Sequence, residues 1–146
     1  MREILFRGKR LDNGEWAYGS LVKADGGTNH GECYILNTPA DFSYGDGGRR
    51  VRIGCFVEVH PRTIGQYTGM RDSNGKQIFE GDILFFDYIG ENLGVRGKAT
   101  VVFQDGKFGV LWGYRKELVA LDGFANVTVE VIGNIYDNNE LLEGVL

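Results

Sequence analysis

Asn74-Gly75, set between the stretches Thr63–Gly69 and Lys76–Ile83, most constrains what this chain can fold into. Glycine takes positive φ without steric cost and asparagine tolerates it, so the pair predicts a tight turn between two strands. Glu80-Gly81-Asp82 then interrupts the chain briefly before the apolar run Ile83-Leu84-Phe85-Phe86 enters a core. Two more hairpins carry the same chemistry. Asp105-Gly106 separates Val101-Val102-Phe103 from Phe108-Gly109-Val110-Leu111, and Leu11-Asp12-Asn13-Gly14 joins Ile4–Arg7 to Trp16–Val22. In the last segment Trp16, Tyr18 and Ser20 alternate against Ala17, Gly19 and Leu21, the period of a strand. The 23 Gly in 146 residues are about twice the usual ~7% share. With only two Pro, they predict many turns and bulges between short strands.

The remaining segments extend this pattern. Residues 24–31 read as a loop, Cys33–Leu36 as a short strand, Asn37–Arg50 as a polar, glycine-rich excursion, and Val51–Val59 as a return to strand. Further strands are expected at Ile64–Tyr67, Asp82–Tyr88, Ala99–Gln104, Phe108–Trp112 and Val127–Gly133. Five short strands in so few residues fit a small closed or partly open barrel. Its core is expected to hold Tyr67, Phe85, Phe103, Phe108, Trp112 and Val131. Helix is confined to Tyr114–Leu121 and a short C-terminal turn capped by Asn138. The expected fold is mainly β with little helix, in two β subdomains: residues 1–60, with a long loop at 24–50, and residues 61–146.

Charge and cysteine usage bound the function. The net charge of −4 argues against a nonspecific duplex binder, which needs a basic surface. The balance is uneven: residues 1–73 hold 10 Lys/Arg against 9 Asp/Glu, and residues 74–146 hold 6 against 11. No run approaches the ~20 apolar residues of a membrane helix. Arg7 breaks the opening apolar stretch after three residues, unlike a signal peptide. Two Cys do not make a secreted disulfide scaffold. The expected compartment is the cytoplasm, with no membrane partner.

Several motifs resemble the YopX-type phage and prophage protein family. Phe6-Arg7-Gly8-Lys9-Arg10 with Gly14-Glu15-Trp16-Ala17-Tyr18-Gly19 is similar to its N-terminal hairpin. Thr63–Gly69, Asp72, Asn74-Gly75-Lys76 and Ile78–Ile83 match its centre, and Glu130–Asn138 its closing strand. The resemblance implies a predominantly β protein whose C-terminal half is a small, partly open Src-homology-3-like barrel. It brings no catalytic residue and no cofactor.

Three groups of residues are candidates for chemistry. His30, Cys33, Cys55 and His60 are residue types that suit zinc, but their order is not that of a zinc finger, and Cys55 beside Phe56 reads as a buried thiol. Glu80 and Asp82 flank Gly81; a carboxylate pair can serve acid/base catalysis, yet such residues more often bond nearby backbone amides at a bend. Asp87 and Glu91 read as loop charges. Arg49, Arg50 and Arg52 form the densest basic cluster and, with Tyr34, Phe42, Tyr44 and Phe56, suit phosphate contact and base stacking. No nucleophile elbow, phosphate-binding loop or dinucleotide fingerprint is present. The sequence therefore points to a non-enzymatic binding or assembly module acting on a phage or host macromolecule, self-associating through an exposed N-terminal strand edge. Single-stranded or structured nucleic acid is the alternative partner, and a metal-dependent enzyme the third reading.

Overall fold

The computed structural model describes residues 1–24, 32–37, 41–45, 47–52, 55–88, 96–112, 115–123 and 127–143, with backbone alone at 41–45, 49–52 and 88. The described chain is mainly β, and every strand pairing is antiparallel. It divides into two compact units, Met1–Gln66 and Tyr67–Leu146. No helix among the described residues is long and apolar enough to cross a membrane.

The first unit contains β1 (Phe6–Lys9), β2 (Trp16–Ala24), β3 (Glu32–Leu36), β4 (Asp41–Gly45), β5 (Gly48–Arg52) and β6 (Phe56–Val59). Four of them lie side by side in the order β6-β3-β2-β1. Their inward residues are Ala17, Cys33, Ile35 and Val59, with Phe6, Leu21, Val57 and Ile64 packed against them. The strand period of two brings these positions to one face. The sheet curls until the end of β1 meets the far strand. Arg10 bridges Val59, the Leu11 amide donates to Glu58 O at 3.1 Å, and the His60 amide donates to Lys9 O at 2.8 Å. A single bridge, rather than a strand ladder, joins those edges, so the sheet is not a closed barrel. The curl requires Gly8. A Cβ there would sit 2.9 Å from both Cβ and Cγ2 of Val59, a β-branched side chain that cannot swing away.

The stretch expected as a loop excursion contains a hairpin: β4 and β5 pair from Asp41↔Arg52 to Gly45↔Gly48 and form their own two-stranded ribbon. Asp41-Phe42-Ser43-Tyr44 alternates polar and aromatic residues, a strand period too short to stand out among the surrounding glycines.

A seventh strand, β7 (Gly65–Arg71), begins in the first unit, where Gly65 and Gln66 pair with Arg7 and Phe6. Within the second unit Tyr67 and Arg71 pair with Phe79 and Gln77 of β8 (Gln77–Phe79). The rest of that unit is β9 (Asp82–Tyr88), β10 (Arg96–Gln104), β11 (Lys107–Trp112), β12 (Glu117–Ala120) and β13 (Val127–Asn134). They form one sheet in the order β12-β11-β10-β9-β13. The sheet is open, with no pairing of β12 to β13 among the described residues. Its core is Ile78, Leu84, Phe86, Ala99, Val101, Val110 and Leu121. Phe86 meets Trp112 edge-on, ring centres 5.2 Å apart. Burying one such side chain contributes about 1.5–3 kcal/mol.

Three expectations change. Tyr114–Leu121 is not helix: Glu117–Ala120 is β12, paired with β11 in the register Val110↔Val119, and only Leu121–Gly123 makes a 3-10 turn. Lys116 takes positive φ (+55°) immediately before the strand, and Val119 packs on the core, so tertiary packing overrides helix propensity. Phe103, expected in the core, is 54% exposed; it lies one residue from the Asp105-Gly106 turn and meets Phe108 edge-on, ring centres 4.9 Å apart. Asn138 precedes a 3-10 turn (Asn139–Leu142) without a side-chain cap bond. Its Oδ1 instead accepts from the Asn134 amide at 3.2 Å.

Gly8→Ala is expected to lower the stability of the chain by about 1–3 kcal/mol, the usual cost of forcing a methyl into a filled space. Urea denaturation followed by circular dichroism measures it, and an unchanged midpoint would mean β1 does not lie against Val59.

Candidate functional site

The segment that dominates the sequence, Thr63–Ile83, is built to hold backbone. Asp72 is 7% exposed. Its Oδ1 accepts the amides of Asn74 (2.9 Å) and Lys76 (2.8 Å), and its Oδ2 accepts that of Val131 (3.0 Å). Next to it the Ser73 amide donates to Val129 O at 2.8 Å, and the Val129 amide donates to Ser73 Oγ at 2.9 Å. The turn thereby covers the outward edge of β13, which would otherwise present open donors and acceptors. Gly75 adopts the positive φ expected of the turn (+83°). Asn74 does not, because its amide is tied to Asp72. Burial by itself pushes the Asp72 carboxyl upward, but the amides of Val131, Lys76 and Asn74 and the Lys76 charge outweigh it and hold the carboxyl below its usual range.

The Glu80–Asp82 pair plays a related part. Asp82 is 2% exposed, and its Oδ2 accepts the Phe79 amide at 2.7 Å. Gly81 between them donates to Val101 O and accepts from the Ile135 amide, both at 2.9 Å. These contacts fasten the bend to its neighbours, the backbone-bonding alternative weighed for such a pair. Asp87, expected in a loop, lies in β9 opposite Arg96, whose Nε is 3.0 Å from its Oδ1. Glu91 lies outside the described residues.

Of the thiol and imidazole residues, Cys33, Cys55 and His60 are described. Cys33 is buried on the inward face of β3 at 3% exposure. Cys55, expected as a buried thiol, is exposed; it has the parity of Val57 and Val59 but precedes β6. His60 is exposed after β6, and His30 lies outside the described residues. Among the described residues no three His, Cys, Asp or Glu side chains cluster as metal ligands.

The basic cluster falls in β5. Arg52 is in register with Asp41, Arg50 with Ser43 and Arg49 with Tyr44. Arg50 and Arg52 therefore share one parity of the ribbon and Arg49 the other.

The feature with most chemical consequence was only partly visible in the sequence: the outward face of the four-stranded sheet. The register pairs Lys9 with Trp16 and Arg7 with Tyr18. It aligns Ser20 with Leu36 and Phe56, and Val22 with Tyr34 and Glu58. Opposed residues of an antiparallel pair project to the same side, so Trp16, Tyr18, Val22, Tyr34, Leu36 and Phe56 occupy one surface. Tyr18 is 45% exposed, Phe56 47% and Val22 37%. Charges sit at opposite corners of it. At one, the Arg7 guanidinium lies 4.6 Å and the Lys9 ammonium 5.6 Å from the Trp16 ring centre, a cation–π arrangement that fixes the indole. At the other, Tyr34 donates to Glu32 at 2.6 Å; that bond, with smaller contributions from burial and the Glu32 and Glu58 charges, pushes the phenol up to about 12. The sequence signal was the Trp16-Tyr18-Ser20 alternation. A strand whose inward positions are already apolar should carry polar residues outward, and this one carries aromatics.

Shallow depressions lie elsewhere among the described residues. One of about 460 Å³ is lined by His60, Pro61, Arg62 and Thr63. Another, about 420 Å³, is lined by Thr68, Met70, Phe108, Ala120 and Leu121, with Lys107 and Asp122 beside them.

Against known proteins, residues 5–143 match the YopX protein family. The chain belongs to that family. Among solved structures it is similar to the crystal structure of protein EF1440 from Enterococcus faecalis. The TM-score is 0.65 at 25% identity, over 98% of this chain and 100% of that one. No curated protein matches the chain.

Asp72→Asn should cost about 1–3 kcal/mol at neutral pH, the usual penalty for stranding a buried partner, since one carboxylate acceptor becomes an amide donor aimed at Val131 N–H. Because the folded carboxyl is held below the ordinary value of 3.8, the wild-type advantage is complete above that value. It disappears as pH falls through the lowered folded one. Paired urea titrations should show the two proteins converging in acid; a gap independent of pH would contradict the ionised role.

Proposed function

We propose that this YopX-family protein is a non-enzymatic binding or assembly module of a phage or prophage, acting in the bacterial cytoplasm. It grips a phage or host macromolecule with the outward face of its first unit. The observation that carries this reading is the exposure of Tyr18, Val22 and Phe56 on one sheet face whose opposite face already serves the core. Apolar surface left open on a folded unit favours association, because covering it releases water. Of the two carboxylates that sequence reading offered for catalysis, Asp82 accepts the Phe79 amide. A second copy of the chain is one partner this face would accept. The strand edges are less available for that purpose, since Leu11 reaches Glu58 O and Ser73 covers β13.

Affinity capture from infected or lysogenic cells tests the reading, comparing wild type with the double variant Tyr18→Ala/Phe56→Ala. Wild type should retain a protein or nucleic acid that the variant, folded by circular dichroism, loses. Identical recovery by both would refute it.

A further inference from the structure

Resting on the contact face just proposed, we infer that its ligand is single-stranded nucleic acid, with bases laid on the aromatic surface and phosphates taken by the β4–β5 ribbon. The argument begins with connectivity. The ribbon occupies the connection between Leu36 and Phe56, the two residues that close one row of the face. Its second strand reads Gly48-Arg49-Arg50-Val51-Arg52, so three permanent cations are tethered where that row ends. Arginine binds phosphate with paired donors and stays charged at any physiological pH. Among the described residues of the ribbon, Asp41, opposite Arg52, is the one acid in register with them.

The face itself suits unpaired bases. Tyr18 and Phe56 offer exposed rings, and every base has a π-face, so stacking tolerates any sequence. Trp16 is braced by Arg7 and Lys9, which places positive charge at the end of β2 opposite to Ala24 and its partner Glu32. Charge is also divided between the units. Residues 1–66 hold 9 Lys/Arg and 8 Asp/Glu, and residues 67–146 hold 7 and 12. An anionic strand is therefore directed to the first unit. Duplex nucleic acid conceals its base faces and would leave the aromatic rings without a role.

Fluorescence anisotropy with a labelled oligothymidylate tests the inference on the full chain. Binding at low salt should weaken as salt rises, with a log–log slope of about −2 if three phosphates are neutralised at roughly 0.7 each. Changing Arg49, Arg50 and Arg52 together to Ala should abolish most of that slope. Tyr18→Ala or Phe56→Ala should each weaken binding roughly ten-fold while leaving the slope intact, because a lost stack removes no counterion. Absence of binding at low salt, equal affinity for duplex, or variants indistinguishable from wild type would overturn it. If the oligonucleotide does not bind while cell capture still yields a face-dependent protein or a second copy, this inference falls and the binding-module reading stands. If neither experiment depends on the face, both fall.

Discussion

An antiparallel sheet can be stable and soluble only if its outermost amides and carbonyls find partners, and in this chain a buried carboxylate meets much of that need. Asp72 gathers three backbone amides, two from its own turn and one from β13. Ser73 adds a reciprocal pair with Val129. The turn thus becomes an edge guard, and the glycine-rich centre of the sequence acquires a physical purpose. In the first unit Arg10 and Leu11 do comparable work against Val59 and Glu58. The two sheets reach similar ends by different means: one bends back onto its own first strand, and the other stays open and is covered by a turn.

Covering edges with local backbone leaves side-chain faces free to differ in character. The second unit buries its apolar residues around Phe86, Leu84 and Val101. The first buries a smaller set. Both units leave aromatics exposed, Tyr18 and Phe56 in the first and Phe103 and Tyr136 in the second, but Tyr18 and Phe56 share one sheet face. Exposed tyrosine and phenylalanine on a rigid strand have few rotamers to lose on binding, which lowers the entropic cost of contact. The proposed function follows from this arrangement, with a sheet presenting the surface and an arginine-bearing ribbon in the connection between β3 and β6.

Legibility in the sequence followed the range of the interactions involved. β9, β10, β11 and β13 could be read because alternation and the Asp105-Gly106 turn are local. β12 could not: four residues with good helix formers became strand because Val119 found Val110 across the sheet. The β4–β5 ribbon escaped notice although Asp41-Phe42-Ser43-Tyr44 alternates polar and aromatic residues, because that short run lies among glycines that read as a loop. Phe103 was assigned to the core by its chemistry, yet its place near a hairpin tip exposes it. The contact face was the least accessible of all, since it exists only once Ser20, Leu36 and Phe56 are aligned across three strands. Asp72 left a faint trace, an acid two residues before Asn74, the spacing at which such side chains bond the backbone.

Site-specific photocrosslinking tests the central claim most directly, with benzoylphenylalanine placed singly at Tyr18, Phe56 or Phe103 in cells that produce the protein. All three positions are exposed, so exposure alone does not separate them. The account predicts adducts from Tyr18 and Phe56 and none from Phe103, which lies in the second unit. Adducts from Phe103 alone would place the gripping surface elsewhere and contradict it.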